Sequence, residues 1–271
     1  MGKGILMQFE YTKEAPDHIS VSQVNTYLKC QVQWYWKYLT DVPRPNIARL
    51  IHAVAAHNGI AHHLNQRMHG AHSIKESIEL AQDHFNTKTK DIDLLFDKVF
   101  FNKDVAISSL NKILTQALPE IDEIIKYPML TEWKLENSER AVILSTGQKV
   151  VGIIDCVDSE GNIYDFKITG NRNNIQDVMQ SLQLGVYAFF IQPTKNVGLI
   201  SISNKTGKVT PVSVPCSVQR GERAIMALDM AAKNIQSSIK NHSFIPNTEG
   251  WHCSTTYCDY HAVCPWGGKD E

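Results

Sequence analysis

No stretch of this 271-residue chain stays apolar for the roughly 18 to 20 residues that a membrane span needs. The opening MGKGILMQFEYTKE holds too short an apolar run for a secretory leader, so a reducing cytoplasm is the expected compartment. Neither sign of charge is in excess. Lys+Arg 27 against Asp+Glu 28 leaves −1, which excludes a strongly basic nucleic-acid coat but permits a local positive groove. Glycine and proline are sparse, at fifteen and ten, and no internal repeat or low-complexity segment occurs, so collagenous, coiled-coil and disordered chains are excluded. What is plentiful is core-forming side chain, 43% of the whole. A chain of this length sits near the upper limit for one hydrophobic core, so one elaborated domain is expected, with room for a small accessory lobe.

The period of the apolar residues divides the chain. From Ser22, a candidate N-cap, VSQVNTYLKCQVQWYWKYL has helical spacing and stops before DVPRPN. IARLIHAVAAHNGIAHHLNQRMHG, SIKESIELAQDHF and KDVAISSLNKILTQALPEIDEII predict three more helices. Beyond Pro128 the pattern turns strand-like in MLTEWKLEN, RAVILS, KVVGIIDCVDS and NIYDFKITG, short Val/Ile-rich runs parted by turn residues. A helix over IQDVMQSLQLGVYAFFI, strands at NVGLISIS and KVTPVSV, and a helix from QRGERAIMALDM follow. This order predicts an α+β fold with a mixed central sheet flanked by helices and a mainly helical N-terminal portion. The expected segments are 1–126 (helical), 127–242 (sheet core) and 243–271 (an aperiodic cysteine-bearing tail), within one structural unit.

Two short strands carry the chemistry. Asp155 lies in the apolar GIIDCV, a turn over residues 159–161 reverses the chain, and Asp165 and Lys167 follow two apart in IYDFKI, hence on one face. If the strands pair as a hairpin, Asp155 converges on that face. Two carboxylates with the Phe166 carbonyl make an oxygen set for a hard divalent cation, and Lys167 beside it can orient or deprotonate a water for attack on a phosphodiester. Carboxylates inside apolar strands carry a desolvation cost that a metal would relieve.

This text resembles the PD-(D/E)xK nuclease superfamily, in particular its RecB-like exonuclease branch. In that family a helical His, an early strand acid, an Asp, a (D/E)-x-K strand and a helix with Q-x-x-x-Y follow in order. Here His57 in AVAAHNGIAHHL, Glu132 in LTEWKLEN, Asp155, Asp165-Phe166-Lys167, and Gln183 with Tyr187 match them. His52, His62 and His63 are neighbouring rivals for the helical position. The resemblance implies a restriction-endonuclease-like core and a DNA exonuclease. It implies Mg²⁺ or Mn²⁺ at His57, Asp155, Asp165 and the Phe166 carbonyl, with Gln183, Tyr187 and Glu132 in support. It also implies DNA ends or single strands as partner, with a place in recombination or repair beside a recombinase or annealing protein. A rival is a non-catalytic, metal-stabilised DNA-binding or scaffold protein on the same fold; a single-strand annealing protein would want a basic stripe, which the net charge does not suggest.

Six cysteines in a cytosolic chain favour metal over disulfide. Cys156 and Cys216 lie in strand-like text and are expected to be buried, inert thiols. Cys253-x4-Cys258-x5-Cys264 has metal-ligand spacing and lacks a fourth ligand, for which Cys30, His252 and His261 are candidates. The setting of Cys30, YLKCQVQWYWKYL, resembles the first cluster cysteine of iron–sulfur members of the same nuclease branch, with Gln31 where those have Pro. The resemblance implies a [4Fe–4S] cluster at Cys30, Cys253, Cys258 and Cys264; four thiolates suit Zn²⁺ equally well. Trp34, Tyr35 and Trp36 offer stacking platforms for bases, although most are expected to be core or cluster cover.

Overall fold

The computed structural model describes residues 9–97, 100 and 102–267. Most of the opening stretch considered above as a leader, and the last four residues of the tail, lie outside these. In chain order the elements are β1 (His18–Ile19), α1 (Val21–Lys29), α2 (Gln31–Leu39), α3 (Ala48–Met68), α4 (Ile74–Lys88), α5 (Lys103–Ile124) and β2 (Pro128–Lys134). There follow β3 (Lys149–Val150), β4 (Ile153–Asp158), β5 (Ile163–Thr169), α6 (Ile175–Gln180), α7 (Leu182–Phe190), β6 (Asn196–Ser203), β7 (Val209–Pro215) and α8 (Val218–Lys240). The chain forms two compact units, with the divide inside α8: Met1–Pro45 with Ala141–Val151 and Met226–Glu271, and Asn46–Arg140 with Gly152–Ile225.

The second of these, the sheet unit, is a mixed α/β layer structure built on a five-stranded sheet of order β2-β4-β5-β6-β7. β2, β4 and β5 run antiparallel as a meander, β5 and β6 pair in parallel through the α6–α7 crossover, and β7 returns antiparallel. One sheet face supplies Cys156, Phe166, Ile200 and Ile202 to a core completed by Ile60 and Leu64 of α3, Phe85 of α4 and Leu110, Leu114 and Leu118 of α5. Side chains of a strand alternate between faces, so the intervening residues of β5 and β6, Asp165, Lys167 and Ser201 among them, face the other way. Gly59 sets the seat of α3: a Cβ there would lie 2.9 Å from both the Ser77 carbonyl and Leu114 Cδ1. The helix can approach α4 and α5 this closely only without a side chain at that position.

The terminal unit joins distant segments. β1 pairs in parallel with β3, and the Tyr27 hydroxyl bonds Ser238 Oγ at 2.7 Å, tying α1 to α8. Several expectations need correction here. The first helix begins at Val21 and is capped by Ser20, whose Oγ accepts from Gln23 N at 3.2 Å, so Ser22 is inside it and not its cap. Nor is that helix continuous through Cys30, which is extended at φ −163° and ψ 117° and separates α1 from α2. The expected strand over RAVILS is limited to an isolated bridge at Ile143, and Lys149–Val150 and Ile153–Asp158 are separate strands, in different units. In the sheet unit the helix expected through Gln180 is interrupted at Ser181, which caps α7 by accepting from Leu184 N; a serine side chain competes with the helix for backbone groups. Cys156 is fully buried as expected, but Cys216 lies just past β7 and is half-buried.

Candidate active site

The β4–β5 ladder is short. It pairs Cys156 with Tyr164 and Val157 with Ile163, and the next positions along the two strands are Asp155 and Asp165. There the ladder gives way to side-chain pairing: Asp155 Oδ2 accepts the Phe166 backbone N–H at 2.8 Å. The Phe166 ring is buried on the core face. Asp165 is 2% exposed. Its Oδ2 meets Lys167 Nζ at 2.7 Å.

Burial pushes both carboxyls up to about 6; for Asp165 the Asp155 charge adds to this and Lys167 opposes it. α3 delivers His57, whose Nδ1 lies 3.8 Å from Asp155 Oδ2, and burial holds its imidazole below the ordinary 6.5. From α7, Gln183 Oε1 accepts from Lys167 Nζ at 3.2 Å, Gln183 Nε2 donates to the Tyr187 hydroxyl at 2.6 Å, and that hydroxyl donates to the Ile153 carbonyl. Each group in this relay is used in its proper donor or acceptor sense. Glu132 is exposed on β2, between Thr131 and Trp133, which pair with Cys156 and Ile154 of β4; its φ is +45° and its charge raises the affinity of Asp155 and His57 for protons. A glutamate in left-handed backbone within a strand is a strained placement of the kind found at working sites.

The rival histidines are engaged elsewhere. His52 is buried and stacks on Phe100 at 4.3 Å, His62 Nδ1 meets Ser77 Oγ, and His63 Nε2 meets Asp122. Asp122 also pairs with His72 and, at 2.9 Å, with Arg67. His63, His72 and Asp122 have metal-ligand types close together. The arginine already supplies that carboxylate with a cation, and His63 Nδ1 is buried without the partner a metal-bound imidazole would need. The sequence did not single out Asp122 or His72, which lie 50 residues apart.

In the terminal unit Cys30, Cys253, Cys258 and Cys264 line one cavity with Trp36, His252 and His261. Asn247 N–H donates to Cys30 Sγ at 3.5 Å. Burial raises the Cys258 and Cys264 thiols, and neighbouring Cys30 and Cys253 raise both further. The tail between Gly250 and Gly267 is a series of turns with no helix or strand, the kind of segment that a metal centre stabilises. Trp34 and Tyr35 are buried, so neither is free to stack on a base.

The model of the PD-(D/E)XK nuclease superfamily matches residues 18–265. The chain belongs to this superfamily. Among solved structures, the crystal structure of a “Putative exonuclease” from Eubacterium rectale is similar with a TM-score of 0.54 at 14% identity, covering 88% of this chain and 87% of that one. At that identity the likeness concerns the fold. A second, the crystal structure of SSO0001, has 15% identity, 69% and 81% coverage and a TM-score of 0.37. No curated protein matches. Asp155, Asp165 and Lys167 come together in this PD-(D/E)XK superfamily member at the opening of the β4–β5 ladder, and no helix among the described residues is long and apolar enough to cross a membrane.

Proposed function

We propose that the protein is a divalent-metal-dependent deoxyribonuclease that degrades DNA from its ends. The observation that carries this is the meeting of Asp155, Asp165, His57 and Lys167 where the β4–β5 ladder opens. The donor set fits a hard cation: two carboxylates that burial and mutual repulsion penalise when charged. Asp155, Asp165, the Phe166 carbonyl and the neutral His57 would hold Mg²⁺ or Mn²⁺, which supplies Lewis acidity toward the scissile phosphate and acidifies water. Lys167, held by Gln183 and through it by Tyr187, would orient the attacking water and offset charge at the scissile phosphate. Glu132 adds negative charge that favours the cation.

The experiment is degradation of 5′- and 3′-labelled single- and double-stranded DNA and of closed circles. Linear DNA should shorten from an end with Mn²⁺ or Mg²⁺, circles should persist, and EDTA or Lys167→Ala should cut the rate at least about 100-fold. Wild-type protein that binds DNA but cuts none with any divalent ion would overturn the proposal in favour of a scaffold on a nuclease fold.

We further propose that Cys30, Cys253, Cys258 and Cys264 hold a [4Fe–4S] cluster, with Zn²⁺ as the chemical competitor. Supporting this are the shared cavity, the N–H···S bond to Cys30 and the turn-only tail. Its role in this proposal is structural, joining residue 30 to the tail, and a reducing cytoplasm of a bacterium or phage-infected cell is the compartment that suits such thiolates. Brown protein with broad absorption near 400 nm that bleaches on reduction is expected (roughly, for such clusters); colourless protein with stoichiometric zinc would replace the cluster by zinc. Resection of ends would produce the single strands on which a recombinase or annealing protein acts, which supports a proposed role in DNA recombination or repair.

A further inference from the structure

The face of β5 that carries Asp165 and Lys167 continues as a row of hydroxyls. Thr169 is two residues beyond Lys167 and so on the same side. Register carries that side across the sheet: Lys167 is level with Ser201, Thr169 with Ser203, and Ser201 with Thr210 of β7. These hydroxyls border a cavity of about 220 Å³ whose other walls include Arg172 and Lys208 and whose lining contains no carboxylate.

The hydrogen bonds explain what the cavity is suited to. Ser201 Oγ accepts from Asn173 N at 3.1 Å, Thr169 Oγ1 from Asn171 N at 3.1 Å, and Ser203 Oγ from the amides of Lys205 and Thr206. In each case a backbone N–H occupies the oxygen's acceptor side, and none of these hydroxyls donates to any protein group among the described residues. Their O–H donors are therefore uncommitted. Neither Arg172 nor Lys208, both lining the cavity, has a carboxylate within 4.0 Å among the described residues. A cavity offering two cations and several donors, and no anion of its own, is complementary to an oxyanion. The strand rise of about 3.3 Å per residue sets Thr169 roughly 7 Å beyond Lys167, a step similar to that between consecutive phosphates of one DNA strand.

We propose that this cavity is a subsite for a DNA backbone phosphate next to the scissile one, gripped by Arg172, Lys208 and the hydroxyls of Thr169, Ser203 and Thr210. It rests on the nuclease reading of the neighbouring carboxylates and specifies how the strand lies across the sheet: from the β4–β5 opening toward β7. The turn that forms one wall is firmly placed, because Gly207 at φ +76° brings it so close to α5 that a Cβ would lie 2.5 Å from the Ile113 carbonyl.

The test uses full-length protein in EDTA, where no cutting occurs, and labelled single-stranded DNA followed by fluorescence anisotropy. Arg172→Ala and Lys208→Ala should each raise Kd about five- to tenfold. Loss of the phosphate contact should flatten the plot of log affinity against log salt by about 0.7. Thr210→Val, which keeps shape and removes a donor, should weaken binding two- to fivefold by the usual worth of such a bond, roughly 1 kcal/mol. Lys205→Ala, on the same turn outside the cavity, serves as the control for general charge. A scan with single neutral methylphosphonates should find one position that weakens the wild type but no longer weakens the Arg172→Ala/Lys208→Ala double variant. If the double variant keeps wild-type affinity and salt slope, or if no phosphate position is coupled to it, the subsite is wrong. When the wild type cuts DNA with Mn²⁺ in that event, the nuclease reading stands. Conversely, coupling at one phosphate in a protein that cuts nothing would uphold the subsite and remove the nuclease, and a wild type that binds no DNA would remove both.

Discussion

Replacing Asp165 by Asn should stabilise the metal-free protein, and only above a defined pH. The folded Asp165 keeps its proton up to about 6, whereas its ordinary value is 3.8. Between those limits the folded state binds more protons than the unfolded chain, so this group makes stability fall as pH rises, and above the upper limit the loss is constant. Two units at about 1.4 kcal/mol each give a penalty on the order of 3 kcal/mol. Part of it is shared with Asp155, whose charge is the second cause of the shift, and removing the carboxylate also deprives Lys167 of its ion pair. We therefore expect Asp165→Asn to exceed wild type by about 1–3 kcal/mol at pH 8 and to match it near pH 4, where both carry a neutral group. Urea unfolding in EDTA at half-unit pH steps measures the difference directly. Added Mn²⁺ should then reverse the order, because only the wild type gains binding energy in the folded state. A variant less stable than wild type at pH 8 without metal, or a difference that does not change with pH, would refute the idea that these carboxylates are held apart from water awaiting a cation.

His57→Ala should weaken Mn²⁺ binding by calorimetry about 10- to 100-fold at neutral pH with little change in thermal stability, the size typical for groups that support a metal site; unchanged affinity would assign His57 to packing. Gly59→Ala should cost about 1–3 kcal/mol by overpacking against Ser77 and Leu114 and should lower activity by displacing His57 two residues away; a neutral substitution would mean α3 is not so closely seated. Cys30→Ser should lose the bound metal or cluster, measured by elemental analysis, and several kcal/mol of stability; an equally stable variant with full metal content would exclude Cys30 from the ligand set.

Local pattern made the chemistry of the sheet unit readable. In IYDFKIT the alternation that buries Phe166 against α3–α5 also obliges Asp165 and Lys167 to share the other face, so two residue identities and a period of two suffice. Gln183 and Tyr187 are four apart on α7, which is enough to make their direct hydrogen bond possible. What stayed hidden depends on competition between local and long-range terms. Cys30 sits in uninterrupted helical text, and nothing local announces that its backbone will be extended, with its Sγ accepting from Asn247, 217 residues later in the chain. Ser181 is similar on a shorter scale: the run is apolar enough for one helix, yet the serine caps a new one.

The strand text around residue 150 was misleading for a related reason. KVVGIIDCVDS reads as one β run, but Lys149 and Val150 pair with His18 and Ile19, while Ile153 onward pairs with β2 and β5. Strand propensity says that a segment will find a partner and leaves the partner's identity to the rest of the chain. The hydroxyl row makes the same point with a functional edge. Ser201 and Ser203 alternate in NVGLISIS, which places them together on one face. Only the parallel register with β5 sets that face level with Lys167 and Thr169. A polar stripe that would pass for a solvated strand edge thereby becomes the continuation of the carboxylate site, and its uncommitted donors acquire a reason to be there.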